Sequence, residues 1–94
     1  MNAEYELKFD PSIAARSDLL EKLKKLEPEF RETCGGGLEL KMRARLKRDT
    51  NNRNVVVMEM EEAGKAFTFD SAISELTNPT ALLARCKRAR ERAV

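Results

Sequence analysis

With 94 residues, 41% of them hydrophobic, the chain can build one core and not two. No apolar run approaches the roughly 20 residues of a membrane-spanning helix. The acidic opening Met1-Asn2-Ala3-Glu4-Tyr5-Glu6 also lacks the apolar stretch of a secretion signal, so a cytoplasmic protein with no membrane partner is expected. Charged residues make up 36% of the chain yet leave a net charge of only +2, so their distribution says more than their sum.

Tyr5, Leu7 and Phe9 alternate with Glu4, Glu6 and Lys8, which predicts a short first strand. Asp10-Pro11 stops it and opens a helix, with Asp as cap and Pro where the backbone N–H has no partner to lose. Ser17-Asp18 is a second cap, so the helix is expected to start twice or to bend. Leu19, Leu23, Leu26 and Phe30 then form one helical face. Pro28 is expected to kink the helix or begin a new short turn, and Gly35-Gly36-Gly37 to close it.

From Leu38 to Lys47 the alternation has no fault. Leu38, Leu40, Met42, Ala44 and Leu46 share one face; Glu39, Lys41, Arg43, Arg45 and Lys47 share the other. Asp49-Thr50-Asn51-Asn52-Arg53 is turn chemistry, 55–61 a third strand, Ala63-Gly64 a tight turn and 65–70 a fourth strand. Pairing Leu46 with Val56 and Met42 with Met60 sets Arg43 opposite Glu59 and Lys41 opposite Glu61. Pairing Met60 with Phe67 and Met58 with Phe69 leaves a two-residue loop at Ala63-Gly64. Residues 71–76 read as a loop or a short helical turn. Asn78-Pro79 then caps a last helix with Leu82, Cys86, Ala89 and Ala93 on its apolar face.

The expected fold is therefore α+β, a single domain over residues 1–94 in the order β-α-β-β-β-α. Its four-stranded mixed sheet has a parallel first pair joined by a right-handed crossover. Two helices cover the face of Leu38, Leu40, Met42, Phe67 and Phe69, and the opposite face is open and charged.

The chemistry is defined largely by what the sequence lacks. There is no histidine and no Cys-x-x-Cys, so no metal, no cofactor and no enzyme activity are expected. The glycine run follows a helix rather than a strand and lacks a following Lys-Ser/Thr, so a helix stop is a far better account than a phosphate loop. Cys86 falls on an apolar face, and Cys34 has no histidine to activate it. The aromatic residues fall on inward positions, so stacking on bases is not expected.

What remains is charge. Residues 38–48 hold five cations against Glu39, and residues 77–94 hold Arg85, Lys87, Arg88, Arg90 and Arg92 against Glu91. Two basic blocks on a near-neutral chain predict an anionic partner. The last helix is the expected contact, with Lys22 and Lys25 extending it, and structured RNA or the ribosome is the expected partner. The plainer account is a solvated face, because a helix dipole favours cations at its C-terminal end. The open sheet face of Lys41, Arg43, Arg45, Glu59 and Glu61 is a second candidate contact, suited to a protein.

The element order and the segment Lys24-Lys25-Leu26-Glu27-Pro28-Glu29-Phe30 resemble the ribosome hibernation-promoting factor family, whose corresponding helix ends in Lys-Leu-Glu-x-x-Phe. The spacing of the Asn51-Asn52 and Ala63-Gly64 turns is similar as well. Asp70-Ser71-Ala72-Ile73-Ser74-Glu75 matches that family's Asp-x-Tyr-x-Ala-Ile-Asp-like run loosely, and Asn78-Pro79 interrupts it. The resemblance implies a non-enzymatic protein that contacts ribosomal RNA through basic helix residues. Glu4-Tyr5-Glu6-Leu7-Lys8-Phe9-Asp10 also looks like the opening strand of RelE-like toxins, which implies a ribonuclease. The second long helix and the Arg/Tyr/His cluster of those toxins have no counterpart here. A third class is the stoichiometric inhibitor of phages and mobile elements, which binds a host protein through a sheet face or edge.

Overall fold

A computed structural model of the chain describes residues 5–35 and 39–93. Its elements are β1 (Tyr5–Phe9), α1 (Pro11–Ala14), α2 (Ser17–Phe30), β2 (Leu40–Arg48), β3 (Asn54–Glu62), β4 (Lys65–Ala72) and α3 (Pro79–Arg92). A π-helical turn, Arg31–Gly35, extends α2, and a 3-10 turn, Ile73–Thr77, joins β4 to α3. The sheet runs β1-β2-β3-β4, with β1 parallel to β2 and both other pairs antiparallel. The α+β class and the mixed four-stranded sheet are as the sequence predicts. No helix among the described residues is long and apolar enough to cross a membrane.

The strand register matches the expectation pair by pair. Leu46 faces Val56, Met42 faces Met60, Arg43 faces Glu59 and Lys41 faces Glu61. Met60 faces Phe67 and Met58 faces Phe69. The turn between β3 and β4 puts both central residues in the left-handed region, Ala63 at φ 51° and Gly64 at φ 84°. That is the hairpin geometry whose twist suits its flanking strands.

The charges on the open face pair differently from the register. Arg45 Nε donates to Glu59 Oε1 at 3.0 Å, a diagonal contact. Arg43 Nη2 instead donates to Asp10 Oδ1 at 3.1 Å, and Lys41 sits 3.4 Å from Glu39. Long side chains on a twisted sheet reach diagonal neighbours as easily as opposite ones. Asp10 is also the better-positioned carboxylate, because it caps α1. Its Oδ2 accepts from the backbone N–H of Ser12 at 3.2 Å and from the Ser12 hydroxyl at 3.0 Å. Ser12 Oγ in turn accepts from Leu46 N–H at 3.0 Å, which ties the start of α1 to β2.

The helix does start twice, but the second start lacks a side-chain cap. Arg16 occupies the cap position in an extended conformation, and its guanidinium holds Asp18 at 3.0 Å. Because the helix begins at Ser17, the expected caps Ser17 and Asp18 lie inside its first turn. Pro28 does not break α2, which continues to Phe30 and then widens into the π turn. Gly36, Gly37 and Leu38 lie outside the described residues, as do the side chains of Tyr5, Glu6 and Cys34. The glycine stop and the inward placement of Tyr5 and Leu38 therefore lie outside them too. At the other end, β4 runs two residues further than expected, and Ser71 is buried on the inner face.

Both long helices cover the face of Leu40, Met42, Phe67 and Phe69. Ile13, Leu19, Leu23, Leu26, Phe30, Leu82 and Cys86 are buried against it. Phe30 and Phe69 meet with ring centroids 6.5 Å apart at a 49° tilt. The open face keeps one buried apolar residue. Val57 is 3% exposed and lies between Arg45 and Asp70 in register, where the Arg45–Glu59 and Lys47–Asp70 pairs arch over it.

Leu40 is fully buried, so Leu40→Ala is expected to cost about 2–5 kcal/mol, read as a lower melting temperature. Ala63 carries a side chain where φ is positive. Ala63→Asn is therefore expected to stabilise the fold by about 0.5–1 kcal/mol and to raise the melting temperature by a few degrees.

Candidate anion-binding groove

Helix α3 is built as the sequence suggests. The Asn78 side chain accepts from Ala81 N–H at 3.3 Å, and Pro79 fills the first turn. Leu82 and Cys86 are fully buried, and Ala89 and Ala93 pack beside them. Successive residues turn by about 100°, so this seam leaves two flanks. Arg85, Arg88 and Arg92, spaced three and four apart, fall on one flank; Leu83, Arg90 and the more outward Lys87 fall on the other.

The five cations of α3 therefore do different jobs. Arg90 is a staple. Its Nη2 donates to Glu62 Oε1 at 2.7 Å and its Nη1 to the Thr33 carbonyl at 3.4 Å. Glu62 follows Val56, Met58 and Met60 in the alternation of β3, so it points inward, and its side chain is only 9% exposed. A carboxylate in that position needs a cation, and Arg90 supplies it. Reading the alternation of β3 one step beyond Met60 would have found Glu62 in the sequence. No local signal names Arg90 as its partner, 28 residues further on.

Arg85 is half tied. Its Nη2 and Nε donate to Glu75 Oε2 at 2.8 and 3.2 Å. Glu75 Oε1 also accepts from Ala72 N–H at 3.1 Å, so one carboxylate joins the end of β4, the 3-10 turn and α3. Burial alone would raise the Glu75 carboxyl. The Arg85 hydrogen bonds, the Ala72 N–H and the charge of Arg85 outweigh it, and the net shift is downward. Asp10 is also held below the usual range, by the Ser12 backbone and hydroxyl and then by Arg43.

Arg88, Arg92 and Lys87 are exposed and make no ion pair or hydrogen bond with the described residues. Arg88 and Arg92 join Arg85 in lining an open groove of about 500 Å³, whose other wall is Thr68, Phe69 and Asp70 of β4. Three guanidinium groups thus share the lining with one carboxylate, Asp70, which stands 3.9 Å from Lys47. The groove follows the edge of the sheet, because β4 is its last strand.

Lys22 and Lys25 lie on α2. The flank of α3 that reaches the turn after α2 is the Arg90 flank, so the arginine row faces the other way. Of the second candidate surface, Lys41, Arg43, Glu59 and Glu61 line a depression of about 330 Å³ on the open sheet face, and Arg45 lies beside it, paired with Glu59. Lys41, Arg43 and Arg45 are each engaged there by a carboxylate of the chain itself. Cys86 is fully buried, as its apolar position predicts. No protein-family model, no curated protein and no solved structure matches this chain.

The lowered Glu75 carboxyl stabilises the fold above its unfolded value of about pH 4.3, and that contribution disappears as pH falls through the lower native value. Glu75→Gln is therefore expected to be less stable than the parent at pH 7. The difference should close on acidification when unfolding is followed at a series of pH values.

Proposed function

We propose that this chain is a non-enzymatic binding protein that takes an anionic macromolecule along the groove between β4 and α3. The observation that carries this reading is the arginine row: Arg85, Arg88 and Arg92 line one open groove, and two of them have no anionic partner among the described residues. The non-enzymatic part rests on the sequence, which has no histidine to serve as a general base.

An acidic protein surface is the partner class favoured. An RNA contact along α3 calls for all five of its cations, whereas Arg90 is committed to Glu62 and Lys87 faces away from the groove. The remaining row runs beside the edge of a sheet, a place where proteins recognise one another. Structured RNA or the ribosome is the second reading, supported by the exposure of Lys87, Arg88 and Arg92 on one helix.

Two probes test the site: poly-L-glutamate and a structured RNA hairpin, each titrated over a salt series. The wild-type chain is expected to bind at least one of them, with affinity falling as salt rises. For RNA the log–log slope should be roughly −0.7 to −0.9 per phosphate contact. The double variant Arg88→Glu with Arg92→Glu should bind at least about tenfold more weakly with an unchanged melting temperature, because neither side chain holds an ion pair. Equal binding by parent and variant, or binding of neither probe by the parent, overturns the reading.

A further inference from the structure

We infer that the partner enters the groove as an extended acidic segment of another protein, which adds to β4 as a fifth strand and sets its carboxylates against Arg85, Arg88 and Arg92. This inference rests on the groove being the binding site. Its own foundation is the phase of the hydrogen bonds along β4.

The two-residue turn at Ala63-Gly64 makes Glu62 and Lys65 the closing, hydrogen-bonded pair of the hairpin. In an antiparallel ladder, hydrogen-bonded and non-hydrogen-bonded pairs then alternate. Met60–Phe67, Met58–Phe69 and Val56–Ser71 are hydrogen-bonded pairs. Glu61–Ala66, Glu59–Thr68 and Val57–Asp70 are not. The backbone N–H and C=O groups of Ala66, Thr68 and Asp70 consequently point off the edge of the sheet. Ala72 shares their phase, and its N–H is indeed turned outward, where Glu75 takes it at 3.1 Å. No described residue takes the corresponding N–H groups of Ala66, Thr68 and Asp70, and all three residues are exposed.

Edge strands are usually blunted by proline, by charged side chains, by a bulge or by a covering element, and of these β4 carries only the charges of Lys65 and Asp70. Over Lys65–Ala72, β4 has no proline, and it pairs with β3 without a break. It has the arginine row of α3 beside it instead. That row selects what can pair. Two copies of this chain joining β4 to β4 would bring arginine rows together, which like-charge repulsion opposes. An acidic strand meets no such barrier. Side chains alternate between faces, so a strand with acidic residues at every second position places all of them on the helix side, toward Arg85, Arg88 and Arg92. Its other side chains would continue the open face beyond Thr68 and Asp70.

The test uses a blocked synthetic peptide of about seven residues that alternates Glu with Thr, and the same peptide with every backbone nitrogen methylated. The full chain should bind the first peptide, slow the amide hydrogen exchange of Ala66, Thr68 and Asp70, and bind the methylated peptide at least about tenfold more weakly. On the protein side, Thr68→Pro removes one outward N–H without touching the β3 ladder and should weaken binding. Should that variant fail to fold, the methylated peptide still decides the point with the unaltered chain. Equal affinity for the two peptides, or binding without protection of those amides, overturns strand addition while leaving an anion-binding groove. Binding of the RNA hairpin through Arg88 and Arg92 without binding of the peptide does the same. If neither probe binds, the groove reading and the strand both fall.

Discussion

The pairing of β3 with its neighbours is the constraint on which the rest of this structure depends. A two-residue turn at Ala63-Gly64 admits one register between β3 and β4, and the unbroken alternation of β2 fixes which of its faces meets the core on the other side. A slip of one residue would send Met58, Met60, Phe67 and Phe69 into water. The same register decides matters less obviously tied to the core. It turns Glu62 inward, lays Val57 outward among charged side chains, and leaves every second residue of β4 with its backbone groups facing away from the sheet.

The second organising force is the attraction between arginine and carboxylate, used for placement more than for bulk stability. The apolar seam of α3 is thin, with two alanines among its four members. Two ion pairs fix the helix: Arg85 on Glu75 at its middle and Arg90 on Glu62 near its end. The Arg90 pair is the deeper, and losing Arg90 would leave the buried Glu62 carboxylate without its cation. Glu62 Oε2 is buried with no hydrogen-bond partner among the described residues, so the pair is not saturated on the acidic side. With α3 held at these two points, its remaining cations keep a defined position beside β4.

This division of labour bears on function. A basic helix read as a uniform strip suggests a phosphate backbone. Resolved into parts, it has one groove-lining flank and one structural flank, with a solvated lysine at the outer margin of the latter. The groove-lining flank stands next to main-chain donors and acceptors, a combination that suits an extended polypeptide. The open sheet face, despite its many charges, is largely satisfied within the chain. Arg43 serves the cap of α1, while Arg45 and Lys47 shelter Val57.

The sequence by itself determined the α+β class, the order of the elements, the strand register and the centre of the core, from Leu23 and Leu26 to Met58, Met60, Phe67 and Phe69. These follow from periodicity and turn chemistry, which act over a few residues and leave their mark on neighbouring positions. It also marked α3 as basic and Cys86 as buried. It did not determine how charges find partners. Arg43 could be set opposite Glu59 on paper, yet it bonds Asp10, 33 residues away, because side-chain reach exceeds strand spacing and a capping carboxylate is already held in place. Nor could the sequence divide the five cations of α3 into anchors and free groups. That division depends on which flank of the helix meets Glu62, Thr33 and the β4 edge, and only the docking of α3 on the sheet decides it.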